Sequence, residues 1–187
     1  MKVRDSGMPE QEYWESLFNI DLILDKMEIN EDIKSLVEFG CGYGTFTLPS
    51  ADRISGNIIA IDIEDEMLKT AASRAVSKNN ITFVKRDFIA HGTGIIDNSA
   101  DYVMLFNILH HINPIVLLDE AYRILKAGGK AGLIHWNYDP TTPRGPSMDI
   151  RPKPVEMKKW AIQAGFKVIG DNFIDLKPYH YGFVLNK

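Results

Sequence analysis

The chemistry-bearing residues of this chain concentrate where carboxylates meet glycines. In "VEFGCGYG" an acid, Glu38, stands two residues before the first of three alternating glycines, Gly40, Gly42 and Gly44, with Cys41 between the first two. Glycine loses more chain entropy on folding than any other residue, so this density signals unusual dihedrals or close approach by another molecule. A strand-to-helix turn of this kind aims backbone N–H groups and a helix's positive end at its ligand, and bare glycines admit a bulky nucleoside. The dinucleotide fingerprint places its third glycine at the sixth position, where this chain has Thr45, and Gly44 falls one residue early. That spacing counts against a nicotinamide dinucleotide. Glu38 would repel a phosphate and attract an ammonium group.

Two more acids end apolar runs. Asp62, in "AIDIEDEML", can accept both hydrogen bonds from a ribose diol, or else cap the helix that begins beside it. Asp87, in "FVKRDF", can accept from an adenine amino group, with Ile63 and Phe88 as apolar walls, or else be an ordinary turn aspartate. Histidine is the natural general base near neutral pH, and the candidates are His110 and His111 in "FNILHHINP", after Asn107, and His135 in "LIHWNYD". The alternative for the adjacent pair is a solvated or capping role ahead of the next helix. His180, between Tyr179 and Tyr181, reads as packing, and His91 as an exposed loop residue. With neither an HExxH helix nor a calcium-type loop, no metal site is expected. Cys41, the single cysteine, supports no internal disulfide or multi-thiolate site and reads as a small packing residue.

These residues need elements to hold them. "SLVEF", "NIIAI", "ITFVKRD", "ADYVMLFN" and "GKAGLIHW" read as strands; "TFTLPSADRI", "DEMLKTAASRAVSK" and "NPIVLLDEAYRILK" read as the helices between them. Asn113 and Pro114 start the last of these helices, and Gly128-Gly129 is expected to stop it. Upstream, "MPEQEYWESLFNIDLILDKM" is one helix or two short ones broken near Asn19, with Tyr13, Trp14 and Phe18 on it. After "KPVEMKKWAIQAGF", a helix, "KVIGDNFIDL" and "HYGFVLNK" are too closely connected to be parallel and are expected to pair antiparallel. Strands alternating with helices predict an α/β fold: a doubly wound, mostly parallel sheet with helices on both faces and ligands at the carboxyl ends of its strands.

The chain has 187 residues, 45% hydrophobic and 25% charged, which suits one buried core rather than two. A net charge of −4, with Lys and Arg scattered, excludes the basic footprint that nucleic-acid binding needs. The amino terminus lacks a signal-peptide core and no apolar run is long enough to span a bilayer, so a cytoplasmic protein without membrane contact is expected.

In this order and spacing, "VEFGCGYG", "AIDIEDEML", "FVKRDF", "DYVMLFNILHHI" and "RILKAGGKAGLIHW" resemble the class I S-adenosylmethionine-dependent methyltransferases, particularly the small ubiquinone-biosynthesis-like group. The resemblance implies a Rossmann-like seven-stranded sheet with an antiparallel last strand. It also implies S-adenosylmethionine as cofactor and S-adenosylhomocysteine as product, with Glu38 near the amino group, Asp62 on the ribose, and Asp87 with Phe88 at the adenine; Cys41, within the glycine turn, and Asn107, near the carboxyl end of its strand, are expected beside the cofactor as well. The expected organisation is a single methyltransferase domain over residues 1–187, with 8–28 as a helical lid and 137–154 as a substrate-side loop. The partner is then a small-molecule methyl acceptor. In that loop Arg144 and Arg151 could hold an anionic acceptor or merely form surface salt bridges. A catalytically inactive S-adenosylmethionine-binding module is the alternative function, an NAD-linked oxidoreductase a third, and a homodimer through the sheet edge or the aromatic helix stays open.

Overall fold

Alternation along β1 (Ser35–Phe39) sets the architecture: Leu36 packs into the apolar cluster on one face of a sheet, while Val37 and Phe39 pack into the cluster on the other. Both sets are fully buried, as befits a parallel strand covered on both sides. The structure, a computed structural model, describes residues 8–168, 170 and 172–187. Beyond β1 the chain forms β2 (Asn57–Asp62), β3 (Ile81–Lys85), β4 (Ala100–Phe106), β5 (Leu125–Trp136), β6 (Ile174–Leu176) and β7 (His180–Asn186). They make one seven-stranded sheet in the order β3-β2-β1-β4-β5-β7-β6. Strands β1 to β5 are parallel, and β7 runs antiparallel to both its neighbours. The expected α/β, doubly wound fold with an antiparallel finish is the observed one.

Helices α6 (Pro114–Ile124) and α7 (Pro154–Gln163) cover the Val37 face through Leu117, Leu118, Met157 and Ala161. The Leu36 face is covered by α2 (Ile20–Lys26), α3 (Thr47–Arg53) and α4 (Asp65–Arg74), which contribute Ile23, Leu24, Ala51 and Leu68. The amino-terminal segment is two helices, α1 (Gln11–Ser16) and α2, and the break falls where Asn19 caps α2 by accepting the Leu22 N–H at 3.2 Å. A one-turn helix, α5 (Phe88–His91), starts after β3 and carries the exposed His91 at its end.

Several boundaries differ from the sequence reading: α7 ends at Gln163 rather than running through "AGF", and of "KVIGDNFIDL" only Ile174–Leu176 forms a strand, residues 169 and 171 lying outside the described residues. The α4 helix ends at Arg74 rather than continuing to Lys78. The glycine pair does not stop α6: the chain leaves the helix at Ile124 and enters β5 at Leu125. Its register against β4 then jumps from Ala100↔Leu125 to Tyr102↔Lys130, and Gly128, at φ +79°, supplies the left-handed residue in that bulge. Asn113 occupies the N-cap position of α6 but makes no side-chain cap bond.

Tight contact seals β7 to the sheet. A methyl group at Gly182 would lie 2.6 Å from the Leu133 carbonyl oxygen and 2.9 Å from Met27 Cε. Gly182→Ala is therefore expected to lower unfolding free energy by about 1–3 kcal/mol, read from the urea midpoint. An unshifted midpoint would show that β7 is not held this closely.

Candidate functional site

The turn between β1 and α3 is left-handed at Gly40, Gly42 and Gly44, with Gly42 at φ +52° and Gly44 at φ +77°. Space is tight as well at Gly44, where a Cβ would sit 3.2 Å from both Ala71 Cβ and Leu48 Cγ, so those neighbours would have to give way. Four of the turn's amides are already used. Gly40 and Cys41 N–H groups donate to the Ile61 carbonyl at 2.8 and 3.1 Å, Gly44 N–H donates to Cys41 O at 2.9 Å, and Gly42 N–H donates to Asp62 Oδ2 at 2.9 Å. For these four N–H groups the sequence expectation that they point at a ligand is corrected: three tie the loop to the end of β2, the fourth closes the turn on itself, and the glycines leave a bare surface for close approach. The one remaining helix-end contribution is weak, because α3 has only seven residues.

Beneath this loop two carboxyl groups share a poorly solvated space. Glu38 is 2% exposed, and its carboxyl accepts a short hydrogen bond from the Thr47 hydroxyl. Burial pushes its pKa up from 4.5 to about 8; the Thr47 bond opposes the shift and the nearby Asp62 charge adds to it. Asp62 is also raised by burial, against the N–H groups of Glu64 and Gly42 that its two oxygens accept at 2.9 Å. It therefore does both things the sequence allowed, pinning the start of α4 while facing the cleft. Cys41 is raised by burial and the same two acids, which keeps it a thiol and fits the packing role.

A cavity of about 470 Å³ opens over the loop at the carboxyl ends of the strands. Glu38, Gly40, Cys41, Gly42, Asp62, Ile63, Asp87, Phe88 and Asn107 all line it, so nine of the ten residues singled out for a nucleoside ligand converge here. The tenth, Gly44, lies behind, packed on α4. Asp87 also caps α5, accepting the Ala90 N–H at 3.0 Å. Asn107 is held at φ +56°, and neither atom of its buried amide finds a partner among the described residues.

The three catalytic candidates separate. His110 lines the cavity, and its Nδ1 lies 3.3 Å from Nε2 of His135. His135 is fully buried behind it; burial first, then the His110, His180 and Arg151 charges, hold its pKa well below the usual imidazole value. His111 faces a second cleft of about 190 Å³ and accepts the Asn113 N–H at 3.1 Å, which is the capping alternative. His180 is stacked on Phe18 at 4.5 Å and lies 4.2 Å from Trp136, a packing residue as expected.

Sequence reasoning missed Met67, which gives no signal among the apolar residues of α4, and Thr45, which lines the cavity and whose buried hydroxyl has no partner among the described residues; Thr45 had been read only as a mismatch. The two loop arginines also part company. Arg144 lines the cavity, whereas Arg151 is buried and donates to carbonyls of Asn137, Asp139 and Pro146 and to Thr142 Oγ1. Arg151 is a scaffold for the loop rather than a ligand contact or a surface salt bridge. Among the described residues, no group of three or more His, Cys, Asp or Glu could hold a metal ion, and no helix is long and apolar enough to cross a membrane.

This sheet order with a glycine loop and an acid on the next strand is that of a class I methyltransferase. Residues 37–133 match the family model of the methyltransferase domain, just over half of the chain, and the chain belongs to that family. It is 30% identical over 163 residues to an uncharacterised protein of Methanocaldococcus jannaschii, covering 85% of this chain and 66% of that one. It is 28% identical to a demethylmenaquinone methyltransferase of Staphylococcus carnosus over 65% of this chain and 50% of that one. The chain thus spans between half and two thirds of these relatives. Its fold is shared with a SAM-dependent methyltransferase from Aquifex aeolicus, with a TM-score of 0.81 at 20% identity over 94% of this chain and 93% of that one.

The two buried acids make stability pH-dependent. Because the Glu38 pKa in the folded chain, about 8, exceeds its ordinary 4.5, the folded state holds a proton that the unfolded state releases, and stability falls as pH rises between those values. Glu38→Gln is expected to flatten that fall, measured by urea unfolding at pH 5, 6.5 and 8 without ligand. Parallel curves for the two proteins would place the Glu38 carboxyl in a better-solvated setting.

Proposed function

We propose that the chain transfers the methyl group of S-adenosylmethionine to a small-molecule acceptor and releases S-adenosylhomocysteine. The observation that carries this is the pairing of a glycine turn whose Gly40, Cys41, Gly42 and Gly44 amides are spent within the chain with two buried acids whose pKa values burial raises. A phosphate needs free N–H donors and no adjacent carboxylate; a cationic, phosphate-free nucleoside suits what is present. In this reading Asp62 accepts from the ribose and Glu38 faces the ammonium group. The bare faces of Gly40, Cys41 and Gly42 meet the donor's chain, with Gly44 keeping the turn's shape. Ile63, Asp87 and Phe88 enclose the adenine. Asn107, with both amide atoms without a partner among the described residues, borders the point where donor and acceptor meet.

When bound, the donor supplies an electrophilic methyl: an acceptor lone pair bonds to its carbon as the carbon–sulfur bond breaks, the bonding pair staying on sulfur. The protein's part is alignment and exclusion of water. His110 is the histidine placed to receive an acceptor's proton, and His135 positions it through the 3.3 Å contact between their ring nitrogens. The covering element is narrower than 8–28. The α2 helix and Met27 bury side chains in the core, whereas α1 buries none, and Met8 and Trp14 roof the cavity. Residues 8–16 are then the lid. Its latch is Arg74, whose guanidinium joins Tyr43 O at 2.6 Å to Glu15 at 2.8 Å, alongside a bond from the Tyr43 hydroxyl to Pro9 O at 2.8 Å.

Calorimetry with S-adenosylmethionine, S-adenosylhomocysteine and NAD tests the reading. The first two are expected to bind in the micromolar range, on the order of −8 kcal/mol, and NAD not at all. Asp62→Asn keeps an oxygen for the Gly42 N–H while losing the charged acceptor, and is expected to weaken both by about 1–2 kcal/mol. Binding of NAD in their place would overturn the donor assignment. For the lid, Arg74→Met is expected to speed S-adenosylhomocysteine release in stopped-flow by about two- to five-fold, the scale of a partly exposed ion pair. An unchanged release rate would place the gate elsewhere.

A further inference from the structure

Two acids share one face of neighbouring strands. Glu38 pairs with Ala60 across β1 and β2, and Asp62 lies two residues past Ala60, so both carboxyls leave the sheet on the side that α3 and α4 cover. Thr47, the first residue of α3, is fully buried there and donates its hydroxyl to Glu38. Both acids line the cavity, yet both are buried.

Among the described residues, the donors on these two carboxyls are neutral: the Thr47 hydroxyl on Glu38, and the Gly42 and Glu64 N–H groups on Asp62. The titratable and charged groups that line the same cavity are Cys41 in the turn, Glu64 before α4, Arg86 and Asp87 after β3, His110 after β4 and Arg144 in the 137–154 loop. Cys41 stays a thiol, and Arg86 donates to the carbonyls of His91 and Gly92. Burial raises both acids, after which the Asp62 charge presses on Glu38 and the Glu64 charge on Asp62. Like charges side by side in poorly hydrated surroundings do not both ionise; they titrate as one unit and keep a proton between them near neutral pH. An ammonium group changes that balance, because its N–H donors bond strongly to a carboxylate and weakly to a carboxylic acid.

We infer that the Glu38–Asp62 pair holds one proton in the ligand-free protein and surrenders it to solvent when a nucleoside with an ammonium-bearing chain enters, so that Glu38 selects nucleosides carrying this group. This rests on the methyltransferase reading and deepens it. The O–H bond of the Glu38 carboxyl breaks, its electron pair stays on oxygen, and the proton leaves to water or buffer. Thr47 is a positioning residue: its hydroxyl bond favours the carboxylate and sets the pH at which the proton is given up. Below the folded-state value for Glu38 of about 8 the proton has to be displaced before the ammonium is gripped, so each pH unit below it weakens such a ligand by about tenfold. Above that value the cost disappears.

The test is calorimetry of the whole chain with S-adenosylhomocysteine and with 5′-deoxy-5′-methylthioadenosine, which has the same adenine and ribose but no amino-acid chain, in buffers of different ionisation heat at pH 6, 7 and 8. At pH 7 the first is expected to release about one proton and to bind about tenfold tighter than at pH 6, whereas the second releases none and keeps its affinity within about twofold. Glu38→Gln is expected to abolish the release and flatten the pH dependence for S-adenosylhomocysteine, while methylthioadenosine binds as before and shows the variant folded. Thr47→Val is expected to move the rise in affinity to higher pH, and Thr47→Ser to leave it in place; a merely structural role for Thr47 would lower affinity equally at every pH and would strike that assignment. No release with S-adenosylhomocysteine, equal release with both ligands, or release that survives Glu38→Gln would each overturn the inference. If neither nucleoside binds, the donor reading falls and this inference with it. If both bind and no proton is released, only this inference falls.

Discussion

One hydrogen bond fixes the relation on which the site depends, that from the Gly42 amide to the Asp62 carboxylate. It closes the turn after β1 onto the end of β2, beside the two amides that share the Ile61 carbonyl. The same carboxylate holds the Glu64 N–H with its other oxygen, so the turn, the strand end and the start of α4 move as one unit. Left-handed glycines allow the main chain to make this bend, and the price is an acid kept in a poorly hydrated place. Because the Gly40, Cys41 and Gly42 amides face inward, what they leave for a ligand is a smooth surface with two buried carboxyl groups below it, which suits a cation better than a phosphate.

The rest of the cavity inherits its character from the sheet order. Strands β3, β2 and β1 are neighbours, so acids at or near their ends form one continuous negative side; crossing to β4 and β5 brings aromatic residues and then the arginine-bearing loop. Loops at strand ends tolerate such specialisation because the strands' packing does not depend on them. Arg151 is the exception that makes the loop firm. A buried guanidinium satisfied by carbonyls organises residues 137–146 without help from regular secondary structure, and this sets where Arg144 and Pro146 stand.

Much of this was legible in the chain itself. Short apolar runs between glycines and polar turns marked β1 to β4, and the closeness of the last two runs forced an antiparallel pair. The α6 terminus was not legible, because Leu125 and Lys126 fit a helix as readily as a strand and only pairing with Ala100 decides. At the site, residue types at strand ends were enough to collect the cavity's acids. Where amides donate is a matter of three-dimensional closure, so the inward turn of the Gly40, Cys41 and Gly42 N–H groups left no trace in spacing. Likewise nothing in "LIHWNYD" says that His135 is sealed under His110, or in "PRGPSMDIRP" that one arginine lines the cavity and the other donates to carbonyls. Burial is a property of neighbours far along the chain.

The most direct test of the central claim is a crystal structure of the protein with S-adenosylhomocysteine. The account predicts the ribose hydroxyls on Asp62, the adenine against Ile63 and Phe88, the amino-acid end over Gly40 and Gly42 near Glu38, and the sulfur turned toward Asn107. A nucleoside bound elsewhere, or a cleft that stays empty at saturating ligand, would contradict it.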